Sequence, residues 1–492
     1  MSIQKKLTIA YFWNLFGKWG VRFIGIGSTL ILVRLLDPSA FGLVALATIC
    51  IGFFETLTDI GINRYLISQT HLDKRAMDTS WTISLLLKIV LIVVLILTSG
   101  LLADFMNAPD IQLIIVVVAC SGIFSALNNI GLVQFEKALD YKRISALLLT
   151  AKLVSTAVML VFAFWLQNYW ALVAGGVCNA LVYCTGSYVI SSYRPKLNFQ
   201  IAPGQLSFSS KIMARAILGY SRNKLDTFLV GRLFDNSAVG KYSIGLEFAV
   251  LPLAEVITPA STAMFPALAQ FKDKKQELFD KTYKYFGFVY GFVMPCIVGI
   301  WFVAPQFCEV ILGPKWSDAA PVMAALSVMM LPYPLTAITN NLFDYLNKSQ
   351  LSLFSDTMGI ALLLIAFWTL TFRDIAEFAW VRGVVAFIGF LSILCFARAT
   401  IGLSLKKMGS VLLLPVVSAS IMWGVLEYGY HFDELTLVAL LGNIVIGATA
   451  YGIALCVLLP LCALFDSTWQ FWWQKAQSLF TMLKQRIGVK HA

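Results

Sequence analysis

The sequence predicts an all-α integral membrane protein of about 14 transmembrane helices. It places them in two six-helix lobes related as parallel repeats, with two more at the C-terminal end. Three observations carry this. Hydrophobic residues make up 59% of the 492 residues and charged residues 13%, with a mean hydropathy of +0.80. Soluble domains carry about 25% charged residues, so this chain has too few to cover a globule of its size. Second, Arg34-Leu35-Leu36-Asp37-Pro38-Ser39-Ala40-Phe41-Gly42 returns as Arg232-Leu233-Phe234-Asp235-Asn236-Ser237-Ala238-Val239-Gly240. Each copy closes one long apolar segment and opens the next. Third, the basic residues fall in alternate loops.

Apolar segments of about 20 residues are long enough to cross roughly 30 Å of hydrocarbon as helices. In order they lie at 9–34, 41–67, 80–102, 111–135, 144–166, 170–192, 207–233, 239–269, 284–304, 319–343, 351–371, 375–399, 411–429 and 437–465. The first and seventh are the least apolar. The two copies of the repeat are six spans apart, an even number, so both point the same way through the membrane. Asn128-Asn129 in the fourth span and Asn340-Asn341 in the tenth echo the duplication. The chain thus divides into lobes 1–200 and 201–405, an added pair of spans in 406–465, and a tail 466–492.

Orientation follows from the loops. Lys5 and Lys6, Lys74 and Arg75, Lys137, Lys142 and Arg143, and Arg194 and Lys196 share one side. Lys272, Lys274, Lys275, Lys281, Arg398, Lys406 and Lys407 join them, as does the tail. The alternate loops, such as Ala103–Asp110 and Gln167–Tyr169, are nearly free of basic residues. Both termini are therefore expected in the cytoplasm. This distribution also explains the net charge of +11 without nucleic acid as a partner. The N-terminus lacks the pattern of a cleaved signal peptide. Eight of the nine cysteines lie inside spans, without metal-ligand spacing, and read as small apolar residues. After Phe465, clustered tryptophans and a basic amphipathic stretch suit a helix lying in the cytoplasmic interface.

Ionisable residues at membrane depth are the functional candidates, since each costs about 2.5 kcal/mol or more if it faces lipid. Lys18 and Arg22 lie one turn apart in the first span. Arg215, Arg222 and Asp226 share a face of the seventh. Lys88, Lys152 and Arg382 add positive charge, against Glu55, Asp59, Glu247 and Glu255. The excess is positive. A water-filled cationic cavity built from Lys18, Arg22, Lys152, Arg215 and Arg222, with Asn128 and Asn340, would receive an anion such as a phosphate or an acidic sugar. Glu55, Asp59, Asp226 and Glu247 are the candidates for proton or sodium coupling. Other readings stay open. Lys18 can snorkel, Arg222 and Asp226 can form an i, i+4 pair, and Asp59-Ile60-Gly61 can shape a helix end. Gly17, Gly20, Gly25 and Gly27 in the first span, Pro252 and Pro259 in the eighth, and Pro332 and Pro334 in the tenth permit bends at a cavity, or close helix packing. No metal site and no cofactor are expected.

Val33-Arg34-Leu35-Leu36-Asp37-Pro38-Ser39-Ala40-Phe41-Gly42, Asp59-Ile60-Gly61, Asp226 and Gly240-Lys241-Tyr242 resemble the Wzx-type lipopolysaccharide and exopolysaccharide flippases. Within that family the chain looks most like the colanic-acid exporter branch. The family belongs to the multidrug/oligosaccharidyl-lipid/polysaccharide (MOP) exporter superfamily. The resemblance implies a bacterial inner-membrane protein that moves an undecaprenyl-diphosphate-linked oligosaccharide to the periplasmic leaflet. It further implies alternating access driven by a sodium or proton gradient, and a polysaccharide polymerase and chain-length regulator as partners. Lys18, Arg22, Arg215 and Arg222 fit its cationic cavity by position and charge.

Two other classes compete. A major-facilitator carrier would show a glycine-bearing basic loop after the second span, where Gln69-Thr70-His71-Leu72-Asp73-Lys74-Arg75 stands instead. A drug antiporter would favour an acidic, aromatic cavity. A membrane glycosyltransferase or polymerase would need a long external loop with a catalytic constellation. The connection near Phe302–Ala319 offers only Glu309 and Asp318.

Overall fold

A computed structural model describes residues 3–58, 66–67, 69, 72–199, 203–258, 261, 264, 268, 270–271, 274–345, 350–429 and 431–488. Side chains at 3–4, 203–215, 341, 344–345, 350–356, 479 and 483–488 lie outside that description. The chain is all-α, with no strand among the described residues. By packing it forms two compact units, Met1–Ser243 and Ile244–Ala492. Ten helices among the described residues are long and apolar enough to cross a membrane.

The first unit contains α1 (Ile3–Leu35), α2 (Pro38–Thr58), α3 (Lys74–Phe105), α4 (Asp110–Ala126), α5 (Leu132–Lys137), α6 (Tyr141–Leu166), α7 (Trp170–Ile190) and α8 (Pro203–Leu233). The chain passes along α9 (Asn236–Ala249) into the second unit. There follow α10 (Lys275–Gln306), α11 (Ala319–Ser327), α12 (Pro332–Tyr345), α13 (Gln350–Thr369), α14 (Ile375–Ile401), α15 (Leu405–Tyr428), α16 (Leu437–Ala463) and α17 (Ser467–Gly488).

Helix starts follow the capping rules. Asp374 accepts from the Glu377 N–H of α14 at 2.8 Å, while the Glu377 carboxylate takes the Arg373 N–H at 2.8 Å. Thr436 caps α16 in the same way. α14 ends at Gly402, whose φ of +82° only glycine adopts without strain.

α1 runs unbroken through its glycines, of which Gly17 and Gly20 serve close packing rather than bending. A Cβ at Gly17 would lie 2.5 Å from Ser145 Oγ, and one at Gly20 would lie 2.5 Å from Leu149 Cδ2. The Ser145 hydroxyl donates to the Trp13 carbonyl at 2.7 Å. Contacts thus advance together along both chains, so α1 and α6 run parallel and in close contact. α2 and α8 pair in the opposite sense. Tyr220 donates to the Ile49 carbonyl at 2.8 Å, and Gly231 meets Leu46. The two copies of the repeated turn also touch. A Cβ on Gly42 would collide with the Asn236 carbonyl oxygen, and one on Gly240 with the Pro38 carbonyl oxygen.

Three expected spans are interrupted. The fourth stops at Ala126 and resumes as α5, because the turn-forming Asn128-Asn129-Ile130-Gly131 intervenes. The eighth gives way after Ala249 to a π-helical turn at Leu253–Ile257 that follows Pro252. The tenth is split by a 3₁₀ turn at Val328–Met330 ahead of Pro332, which has no N–H to continue a helix.

In the second unit, Leu278, Phe286, Val289, Tyr290, Leu335, Phe343 and Met408 are fully buried in one apolar cluster. The Tyr290 hydroxyl donates to the Leu331 carbonyl at 3.0 Å. The last two spans dock on α10. Tyr451 donates to the Gly291 carbonyl at 2.7 Å, and the buried Asn443 amide donates to Gln306 Oε1 at 3.0 Å.

Candidate functional site

The break between α4 and α5 would strand carbonyls at the end of α4 and in the turn after it in an apolar bundle. Side chains from two neighbouring helices meet them. From α3, the Lys88 ammonium donates to the Ser125 carbonyl at 3.0 Å and the Trp81 indole N–H to the Asn128 carbonyl at 3.2 Å. From α7, the Tyr188 hydroxyl donates to the Leu127 carbonyl at 2.8 Å. A cation suits this position, because a helix C-terminus carries partial negative charge. The turn is tied by Asn129. Its N–H donates to Ser187 Oγ at 3.0 Å, its amide nitrogen to the Tyr193 carbonyl at 2.8 Å, and its Oδ1 accepts from the Gly131 N–H at 2.8 Å.

A cavity of about 440 Å³ opens beside this break, wholly inside the first unit. Glu55 of α2, Lys88 of α3 and Glu136 of α5 supply its charged groups, and Asn128 of the turn is among its polar ones. Lys88 lies within electrostatic reach of Glu55, and Glu136 within reach of Tyr183. Asn128 Oδ1 is buried with no hydrogen-bond partner among the described residues. Two carboxylates, one ammonium and an amide oxygen in a partly apolar chamber suit a proton or a small monovalent cation. The volume is that of a small-molecule pocket, about 300–1,000 Å³, far below a lipid-linked oligosaccharide. No group of three metal-ligating side chains occurs among the described residues.

A second feature lies on the seam of α1 and α6. Lys18, Arg22 and Gly25 share one face of α1 at i, i+4 and i+7. The Lys152 ammonium of α6 lies 3.8 Å from where a Gly25 Cβ would be. Lys18 is exposed, and Arg22 and Lys152 are half-buried. Lys152 is thus placed beside Gly25, on the face of α1 that also carries Lys18 and Arg22.

The other expected residues are placed as follows. Arg222 is half-buried on α8, its Nε donating to Asn223 Oδ1 at 3.4 Å. Asp226 on the same helix is fully buried and accepts from the Thr227 N–H at 2.8 Å. Glu247 and Asn340 are half-buried residues of the second unit. Asp59 and the Arg215 side chain lie outside the described residues. The sequence does not single out Glu136, because the apolar pattern of the fourth span runs on to Phe135. Asn-Asn-Ile-Gly was the turn signal that could have found it.

Residues 31–321, more than half of the chain, match the model of the polysaccharide biosynthesis protein family. The chain belongs to this family. The lipopolysaccharide biosynthesis protein WzxC of Escherichia coli K12 is 24% identical over 335 residues, covering 67% of this chain and 68% of that one. The succinoglycan biosynthesis transport protein ExoT of Rhizobium meliloti is 20% identical over 314 residues, 63% of each. Among solved structures, the lipid II flippase MurJ in its inward closed conformation superposes with a TM-score of 0.72 at 12% identity. It covers 92% of this chain and 99% of its own. An inward-facing multidrug resistance MATE transporter of the MOP superfamily gives 0.53 at 17% identity, over 81% and 96%. The expected kinship with the Wzx-type flippases is met, as is the MOP-type fold. The apolar helices and these likenesses are those of a multi-pass membrane protein with the fold of known transporters.

Proposed function

We propose that the chain carries undecaprenyl-diphosphate-linked oligosaccharide repeat units to the periplasmic leaflet of the bacterial inner membrane, by ion-coupled alternating access with both termini in the cytoplasm. The observation that carries this reading is the separation of two polar features in one membrane bundle. The Lys18–Arg22–Lys152 seam offers cationic donors to a diphosphate. The Glu55–Lys88–Glu136 cavity is too small for the glycan and suits a coupling ion. Such a headgroup crosses hydrocarbon unaided at great cost, since its charges and hydroxyls would lose their water. Fixed positive charge substitutes for that water. An ion whose occupancy differs between two access states then drives the cycle in one direction. A polymerase and a chain-length regulator are the partners this role requires at the outer leaflet.

The test is complementation of a flippase-deficient strain. Arg22→Ala and Arg222→Ala variants are expected to reach the membrane and fail in export. Full export by both would refute the cationic path. Glu55→Gln is expected to leave glycan binding intact and abolish dependence of transport on the sodium or proton gradient. Gradient-dependent transport by that variant would refute the coupling role.

A further inference from the structure

We propose that the end of the second unit built by α10, α15 and α17 is a docking surface for anionic phospholipid headgroups, with α17 lying along the leaflet surface as a strap. The inference stands apart from the transported substrate. The first two turns of α17 are fixed in place. Asp466 Oδ1 caps the Thr468 N–H at 2.7 Å, the Trp469 indole donates to the Ser410 carbonyl at 3.2 Å, and the Trp472 indole to the Lys284 carbonyl at 3.1 Å. The Trp472 ring stacks on Phe288 with centroids 5.6 Å apart. Beyond them the helix is exposed, with Phe480 71% and Met482 61% accessible. α17 is not among the helices apolar enough to cross a membrane. It carries Lys475, Lys484 and Arg486 and no acidic residue. That combination belongs at a charged apolar boundary.

The surface beside it is basic and aromatic. Ammonium groups sit over rings at Lys275–Phe279 (5.6 Å), Lys281–Phe271 (5.2 Å) and Lys284–Phe471 (4.5 Å). The acidic groups nearby are engaged, Asp280 with Lys407 at 2.9 Å and Glu277 with Lys274 at 3.1 Å. The net field left over is positive. α16 ends against this surface with Leu464 77% and Phe465 90% exposed, so lysines and hydrocarbon-seeking side chains are adjacent. A phosphate tethered to acyl chains satisfies both; a soluble polyanion satisfies only the first.

The test uses the full-length protein in an uncharged detergent, titrated with phosphatidylglycerol, phosphatidylcholine or free glycerol phosphate, with the melting temperature as readout. Phosphatidylglycerol is expected to raise it at concentrations where the other two do not. Lys281→Ala, Lys284→Ala and Lys475→Ala are each expected to weaken the apparent phosphatidylglycerol affinity by about fivefold. Phe480→Ser/Met482→Ser should weaken it without creating a response to glycerol phosphate. Equal stabilisation by the two phospholipids, or by glycerol phosphate, overturns the proposal. So does undiminished lipid selectivity in the three lysine variants combined. The selectivity of the unaltered protein decides the matter even if a variant fails to fold.

Discussion

Gly42 and Gly240 occupy matching places in the two copies of the repeat, and each excludes a side chain to admit the other copy's backbone. A Cβ on Gly42 would lie 3.0 Å from the Gly240 nitrogen, and one on Gly240 lies 3.1 Å from the Gly42 nitrogen. Such reciprocity is the mark of a local two-fold relation.

Gly42→Ala and Gly240→Ala should therefore each cost about 1–3 kcal/mol, because a backbone carbonyl cannot rotate away as a side chain can. Gly27→Ala, with nothing within 4 Å of its Cβ position, is the control and should be neutral or slightly stabilising. Thermal unfolding of the purified variants checks the contrast.

Lys88→Met removes the ammonium from both the Ser125 carbonyl and the neighbourhood of Glu55, and should cost about 2 kcal/mol. Glu55→Gln should cost less. Combined, the two should fall short of additivity by about 1 kcal/mol, since each single change leaves the other group without its counter-charge. Additive losses in a double-mutant cycle would separate the two residues.

Asn443→Leu leaves Gln306 Oε1, the Phe432 carbonyl and the Phe432 N–H without their shared partner. A loss of about 2 kcal/mol is expected. Limited proteolysis should then cut first near residues 431–436, where the loop between α15 and α16 is released.

Tyr193 gives a pH-dependent prediction. Burial, and the Asp78 carboxylate that accepts its hydroxyl proton, hold the phenol above its ordinary value of 10.0. Below about pH 10 it is neutral in folded and unfolded chains alike, and its stabilisation is complete. Above that, the unfolded chain releases the proton more readily, so stability falls as pH rises through the folded value. Tyr193→Phe should be less stable at neutral pH and decline less steeply above pH 10, as read from melting temperatures across that range.

The helices were legible because hydropathy is local: each expected span overlaps a helix, and the Arg34 and Arg232 turns were visible as a repeat. Lys88 was visible as a charge at membrane depth, but its role was not. Its partner is the Ser125 carbonyl, a backbone atom present at every residue, and only the break in α4 leaves it in need of a donor. The glycines of α1 were equally ambiguous. Whether Gly17 bends a helix or admits Ser145 depends on a residue 128 positions away, and nothing near Gly17 records it. The closeness of Lys152 to Gly25 follows from the same parallel packing of α1 and α6.

The capped carbonyls of α4 bear on how the chain is made. Alone in a bilayer, the end of α4 would expose peptide oxygens to hydrocarbon at a cost of several kcal/mol. Trp81 and Lys88 have already left the ribosome when α4 emerges. Tyr188 follows Leu127 by 61 residues, roughly 3–12 s of synthesis at 5–20 residues per second. Insertion of the fourth span is therefore completed only when the sixth arrives, and a nascent chain stalled between them should be the form that membrane quality control recognises.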